Sequence, residues 1–265
     1  MSIFADTLTE FTITNTSINI LDIISKVKKN LDSNYNNENY SMHGHVKQVS
    51  SNNDVVILDV DNDINVRRLK NQKNLGIEIN EKKINVVDTF FINSIGLVFM
   101  SINQLITIDF LKKKMMFKNS EYKKYSYKLT DIKHDSLLGE LYVIHFSPYK
   151  NNYRYSFDYF TAEMSGDLLV RKEDYAIISV SYEVNRNVKL LRKYAMKYSK
   201  GNSNFLWKTL PSEERIVFFC SYSKDTSIGK YFLSRANYTF YENGKLLDNN
   251  QPIQLIEYLH YDRLN

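Results

Sequence analysis

Two histidines, His43 and His45, stand two residues apart in YSMHGHV. On a strand, residues i and i+2 share a face, so both imidazoles would project together, as a divalent-metal pair requires. The sequence alone identifies no third ligand, because His134, His145 and His260 belong to other segments. The competing reading is polar residues on the wet face of an edge strand, and on that reading no metal is assigned. His145 alternates with apolar neighbours in LYVIHFSP and reads as a hydrogen-bonded core or rim residue rather than a base.

Other groupings fall short of a chemistry. Asp59, Asp61 and Asp63 imitate the opening of a calcium loop, but Ile64 stands where the turn needs glycine and Lys70 where a bidentate glutamate is needed. Ser147 and Lys150 have the spacing of an acylating Ser-x-x-Lys pair, yet Pro148 follows at a strand end. The same spacing recurs at Ser25, Ser120, Ser221 and Ser227. No zinc-protease, nucleophile-elbow, phosphate-loop or dinucleotide pattern occurs. Glu213 with Glu214 and Glu173 with Asp174 read as solvated pairs at turns or helix starts. No catalytic, cofactor-binding or metal residue is therefore assigned, and no cofactor is expected.

Composition bounds the rest. The chain has 265 residues with 43% hydrophobic and 14% aromatic content, 8 glycines and 3 prolines, a globular profile. Cys220 is the only cysteine, which excludes an intrachain disulfide and a multi-thiolate metal site, and it reads as a small buried residue. The amino terminus, MSIFADTLTEFTI, lacks a basic region followed by a sustained apolar run, so a cytosolic or trimmed chain is expected. No apolar run reaches the ~18 residues of a membrane span.

A formal charge of +5 is mild for this length and gives no reason to expect nucleic acid. The segment Leu111 to Lys128, LKKKMMFKNSEYKKYSYK, mixes lysines with Met115, Phe117, Tyr122, Tyr125 and Tyr127. That mixture could bind phosphates while stacking bases. The alternative is a solvated connection whose aromatics pack inward.

The elements that must position these residues follow from periodicity. Leu8 to Ile13 alternates as a short strand. Asn19 can cap a helix whose Ile20, Ile24, Val27 and Leu31 share a face, with Asp22 near its start and Lys26, Lys28 and Lys29 near its end. The run Asn34 to Asn39 breaks it. Strands are expected over Ser41 to Val49 and Val55 to Val60, joined by a turn at Ser51 to Asp54. Asp61 to Lys83 reads as loop with one strand near Leu75 to Ile79. Asp88 to Leu111 reads as one or two buried helices, although its β-branched residues leave a strand reading open.

From Tyr125 to Val184, KYSYKLTDI, LYVIHFSP and SGDLLVRKEDYAIISVSYEV describe consecutive antiparallel strands, with Asp174 near a turn. Asn243-Gly244 predicts a hairpin. The expected architecture is one α+β domain over residues 1–265: a curved, half-barrel-like antiparallel sheet packed against one or two helices. KGNSN at 200–204 offers a possible subdomain break.

The order of LTEFTI, ILDIISKVKKNLDSNY, NENYSMHGHV, TIDFL, YSYKLTDI, LYVIHFSP and SGDLLVRKEDYAII resembles carboxypeptidase-like regulatory domain-containing proteins of the Bacteroidetes, in the region after their sandwich. The strand-rich half is also similar to the half-barrels of lipoprotein carriers. These resemblances imply a non-enzymatic module of the cell envelope, on the periplasmic side, binding a lipid or lipoprotein or an envelope protein partner. A structural accessory domain of an outer-membrane assembly is the alternative, followed by a hydrolase using His145 or His43.

Overall fold

The computed structural model describes residues 18–35, 39–52, 55–68, 76–79, 83–86, 110–113, 116–117, 119–151, 161–190, 193, 214–242, 245–246 and 253–263. Helix α1 spans Ile20–Asn34, and a second, four-residue helix α2 spans Phe110–Lys113. The strands are β1 (Tyr40–Asn52), β2 (Val55–Arg68), β3 (Gly76–Ile79), β4 (Lys83–Val86), β5 (Tyr125–Asp135) and β6 (Gly139–Pro148). They continue as β7 (Thr161–Arg171), β8 (Ile177–Arg186), β9 (Glu214–Asp225), β10 (Lys230–Glu242), β11 (Lys245–Leu246) and β12 (Ile253–Arg263). All join one antiparallel sheet, in the order β3-β2-β1-β12-β10-β9-β8-β7-β6-β5, with β4 beside β2 and β11 beside β10.

Period-2 alternation builds the two faces. Residues in register across β5 to β10 form inner rows such as Leu129, Ile144, Leu168, Val180, Cys220 and Ala236. Most of these are buried, and Cys220 sits among them as the small apolar residue expected. A second row runs Phe146, Gly166, Tyr182, Phe218, with the last two rings stacked at 4.7 Å. Gly166 is there because a Cβ would lie 2.4 Å from the Ser181 carbonyl oxygen and 2.5 Å from the Tyr182 Cβ. The inner face curls around α1, which touches both β5 and β10. In a flat sheet those two strands would lie about 24 Å apart, some twice a helix diameter.

Helix α1 follows its sequence. The Asn19 side chain accepts from the Leu21 amide at 3.1 Å, and Ile23, Ile24, Val27 and Leu31 are buried. It runs three residues past Leu31, through Asn34, so Lys26, Lys28 and Lys29 lie mid-helix and the last turn carries no base. The loop expected from Asp61 onward is also corrected. β2 continues to Arg68, because Ile64 and Val66 alternate into the core while Asp63 and Asn65 stay half-exposed. The expected strand at Leu8 to Ile13, most of the Asp88 to Leu111 block and the 200–204 break lie outside the described residues.

Two hairpins share one turn chemistry. Asp135 accepts from the Leu137 and Leu138 amides and is followed four residues on by Gly139 at φ 75°. Asp225 accepts from the Ser227 amide and is followed by Gly229 at φ 68°. Glycine tolerates this left-handed conformation without a Cβ clash. In the β7–β8 turn the residue four after the end of the strand is Tyr175, which takes the left-handed position at φ 57° and donates its amide to the Arg171 carbonyl as Gly229 does to Asp225.

Two outcomes are expected. Gly166→Ala should destabilise the chain by at least about 2 kcal/mol in urea unfolding, because the obstructing atoms belong to the neighbouring strand's backbone and Cβ. The Leu138 and Leu137 amides hold the Asp135 carboxyl below its ordinary value. Its contribution is thus present above the unfolded-state value and lost as pH falls through the lower folded value. Carbon-detected NMR titration of Asp135 checks the direction.

Candidate functional site

Most of the buried core among the described residues lies on β5 to β10, and two elements cover the inner face of these strands. The first is α2, whose Phe110 ring packs 5.9 Å from Phe146, 5.6 Å from Tyr182 and edge-on at 6.5 Å to Phe117. Phe110, Leu111, Met116 and Phe117 are each no more than 4% exposed. The Leu111 amide donates to the Tyr222 hydroxyl at 3.4 Å. A segment with a single helical turn is thus anchored mainly by aromatic side chains set into an aromatic-lined face.

The second cover is α1, ending in Tyr35. The Tyr35 ring meets Tyr222 at 5.5 Å and Tyr231 at 5.8 Å, and its hydroxyl donates to the Ile177 carbonyl at 2.7 Å. Apolar burial alone would let the helix slide or rotate. Its position is set by the β7–β8 turn, where the Asp174 carbonyl accepts from Asn34 at 2.9 Å and Asn30 at 3.2 Å. Asn30 and Asn34 are four apart and so share one helix face.

The Asp174 carboxylate is anchored in turn. Its Oδ1 accepts from the Ala176 amide at 3.1 Å, and its Oδ2 accepts from the Tyr231 hydroxyl at 3.0 Å and Arg171 at 3.2 Å, with Lys224 at 3.6 Å. Arg171 also donates to the Leu138 carbonyl at 2.9 Å and pairs with Glu173. Burial raises the Tyr231 phenol above its ordinary value, so it stays protonated and donates. Beside this cluster, strained Tyr175 receives a hydrogen bond from Lys26 at 3.1 Å, with the ammonium 5.0 Å from its ring. A bulky residue at positive φ costs about 1–2 kcal/mol, so the contact with α1 is what distinguishes this turn from its glycine counterparts.

The residues singled out from sequence lie elsewhere. His43 and His45 stand half-buried on the outer face of β1, with their Nδ1 atoms 2.8 Å from Asn65 Oδ1 and 3.1 Å from Asp63 Oδ1. His145 is on the outer face too, not in the core, with Nδ1 3.0 Å from Asp167 Oδ1. That pair is 43% and 54% exposed on an open sheet surface, the setting of a cross-strand pair rather than of a water-excluding cleft. Asp59, Asp61 and Asp63 lie along extended β2, in register with Val49, Lys47 and His45. Ser147 ends β6 opposite Ser126.

Two carboxylates expected to be solvated are not. Asp174 is the hub just described, and Glu214 is 7% exposed and accepts from Arg186 at 3.2 Å. In the lysine-rich segment, Phe117 and Tyr125 are buried, so they pack inward and do not stack bases. Lys123 and Lys124 are exposed, and Lys28 lies 5.2 Å over the Tyr122 ring.

No family model matches the sequence, and a search of curated proteins found no match, so the Bacteroidetes resemblance gains no support there. Among solved structures, the chain is similar to a LolA superfamily protein from Nitrosomonas europaea. The two are 8% identical over 94% of this chain and 95% of that one, with a TM-score of 0.37. It is also similar to a domain described as an outer membrane lipoprotein-sorting protein, from Vibrio parahaemolyticus. That pair is 8% identical over 92% of each chain, with a TM-score of 0.35. The strand order, register and burial define the fold independently of this likeness. Among the described residues, no helix is long and apolar enough to cross a membrane.

Asp174→Ala should cost about 2 kcal/mol, since it removes one acceptor of half-buried Arg171 and the carboxylate to which the buried Tyr231 hydroxyl donates. Tyr175→Gly should relieve the backbone while releasing α1. Amide exchange in α1 should therefore rise several-fold, with a smaller change in global stability. Hydrogen exchange with mass-spectrometric readout separates the two variants.

Proposed function

We propose that this chain is a non-catalytic binding module that holds a hydrophobic group against the inner face of its curved sheet. The observation that carries this reading is the seat of Phe110. An aromatic side chain on a four-residue helix enters a face lined by Phe146 and Tyr182, with Phe117 of its own segment edge-on to it. A face that accepts such an anchor from its own chain has the chemistry to accept an acyl chain, or the apolar side chain of a partner segment, in its place. Exchange of one apolar occupant for another keeps the face buried, so the net cost is the displacement of α2.

The candidate bases support the non-catalytic reading. His43, His45 and His145 stand half-exposed on the outer face, on the opposite side of the sheet from the apolar site. The setting and ligand class that suit this reading are the cell envelope and a lipid or lipidated chain. Docking of a protein strand on the edge of β5 is the weaker reading. Among the described residues β5 pairs only with β6, but Lys128, Asp131, Lys133 and His134 are exposed along it, and a bulge lies between Leu129 and Asp131. Charge and irregular register are what blunt a sheet edge.

The test combines native mass spectrometry with titration of a dansyl-labelled fatty acid. A mass excess lost on denaturation is expected, together with saturable binding that tightens about fivefold in Phe110→Ala, where the resident anchor is truncated. Leu168→Arg, on the inner face, should abolish it. A bare chain mass, together with no saturable probe binding by either the parent or Phe110→Ala, overturns the reading.

A further inference from the structure

The start of β5 and the end of β6 bring three lysines and one exposed tyrosine to a single corner of the sheet. The Tyr149 amide donates to the Lys124 carbonyl at 2.9 Å, so Tyr149 and Lys150, just past β6, lie beside Lys123 and Lys124, which close the single helical turn leading into β5. The register agrees, with Tyr125 opposite Pro148. We propose that this corner is a docking surface for an anionic lipid bilayer, where the lysines meet headgroup phosphates and the Tyr149 ring enters the interfacial layer. The inference does not rest on the hydrophobic site, because these exposed side chains take no part in covering the inner face.

Three observations carry it. The first is unbalanced charge. Lys123, Lys124 and Lys150 are exposed, and none of them joins an ion pair among the described residues. Elsewhere on the sheet cations are neutralised across strands, Lys172 by Glu140, Arg186 by Glu214 and Arg215 by Glu183. From Asn119 to Thr130 the sole carboxylate is Glu121, which is half-buried. Clustered cations with little local counter-charge keep a field that attracts an anionic surface.

The second observation is apolar surface at the same place. The Tyr149 ring is 69% exposed, and among the described residues it is the one aromatic in the set of large, exposed apolar side chains. Tyrosine combines an apolar body with a polar tip, which suits the boundary between headgroups and acyl chains. Helix α1 reaches this corner too, since Lys28 donates to the Asn119 carbonyl and lies 5.2 Å over the Tyr122 ring. Leu21, seven residues before Lys28 and hence on the same side of the helix, is 52% exposed.

The third separates a bilayer from a nucleic acid. Binding of successive bases needs several open rings. Here Tyr125 is buried, Tyr122 is capped by Lys28, and half-buried Tyr127 donates its hydroxyl to the Tyr122 carbonyl at 2.9 Å, which leaves Tyr149 alone. No arginine occurs from residue 110 to residue 150. Lysine is a flexible point charge that suits a fluid layer of phosphates, whereas planar, bidentate recognition uses arginine.

The test is cosedimentation of the full chain with vesicles of phosphatidylcholine alone, and of phosphatidylcholine with about 30 mol% phosphatidylglycerol, at about 0.1 M salt. Binding should be confined to the anionic vesicles and should fall at least about tenfold when salt is raised to about 0.5 M. Lys123→Gln, Lys124→Gln and Lys150→Gln should each weaken it about fivefold, and the triple variant about a hundredfold. Tyr149→Ser should weaken it several-fold, and Tyr149→Trp should preserve it. Lys133→Gln removes the same charge roughly 25 Å along β5, beyond the screening length, and should leave binding unchanged. Phe110→Ala should also leave it unchanged, so failure here and failure of the inner-face reading are distinguishable. The proposal is overturned if the two kinds of vesicle bind alike, if neither binds, or if the triple variant binds as the parent does. A single-stranded RNA oligonucleotide bound through the same lysines, with the anionic vesicles left free, also overturns it.

Discussion

Everything in this fold depends on keeping one face of the six strands from β5 to β10 away from water. That face presents Ile144, Phe146, Leu168, Val180 and Tyr182 at almost no exposure. Each such side chain contributes about 1.5–3 kcal/mol when fully buried, so the face cannot be left open. Burial is non-directional, however, and does not say where a cover must sit. Direction comes from polar groups at the rim. Asp174 ties the end of α1 to the β7–β8 turn, while its carboxylate gathers Arg171, Tyr231 and Lys224 from three strands. Apolar area gives α1 its stability, and Asp174 gives it its position.

Much of this was legible in the residues, for identifiable reasons. The helix announced itself through Asn19 and the spacing of Ile24, Val27 and Leu31, and the strands from β5 to β8 through strict alternation. The errors share a cause. β2 was ended at Val60 because Asp61 and Asp63 look like loop residues; they are the outward half of an alternation whose inward half, Ile64 and Val66, is short. The run from Asn34 to Asn39 reads as a helix break because asparagine side chains compete for local backbone. Asn30 and Asn34 are engaged instead by a carbonyl some 140 residues away. Glu214 reads as solvated because its cationic partner, Arg186, is identified by register rather than by sequence, and Asp174 because Tyr231 and Lys224 reach it from distant strands.

The three equivalent turns show where local preference was overruled. Asp135 to Gly139 and Asp225 to Gly229 solve the connection with glycine at the left-handed position. In the third, the same backbone conformation is imposed on Tyr175. A strained residue persists only where its surroundings over-determine it. Here those surroundings are α1, through Lys26, and the Asp174 cluster. The least locally favoured turn is therefore the one that meets the cover, and it ties the order of α1 to the integrity of a single hairpin.

The two faces of the sheet obey different rules, and that separation shapes what the molecule can do. Inside, contacts are chiefly apolar and non-directional. Outside, partners are paired across strands one residue against one: His43 with Asn65, His45 with Asp63, His145 with Asp167. Such pairs depend on register, and a slip by one residue would turn them into the core. A change in what fills the inner face need not disturb them, because moving α2 or α1 leaves the ladder hydrogen bonds intact. The strand pairing then acts as a rigid divider between an exchangeable apolar interior and a fixed polar exterior. The strands from β5 to β10 are joined to β1 and β2 through β10 and β12, whose pairing extends only from Arg235 opposite Glu257 to Tyr238 opposite Gln254. This seam of four residue pairs is the narrowest link on the path from β10 through β12 and β1 to β2, and it is where filling the interior and moving β1 and β2 would be mechanically coupled.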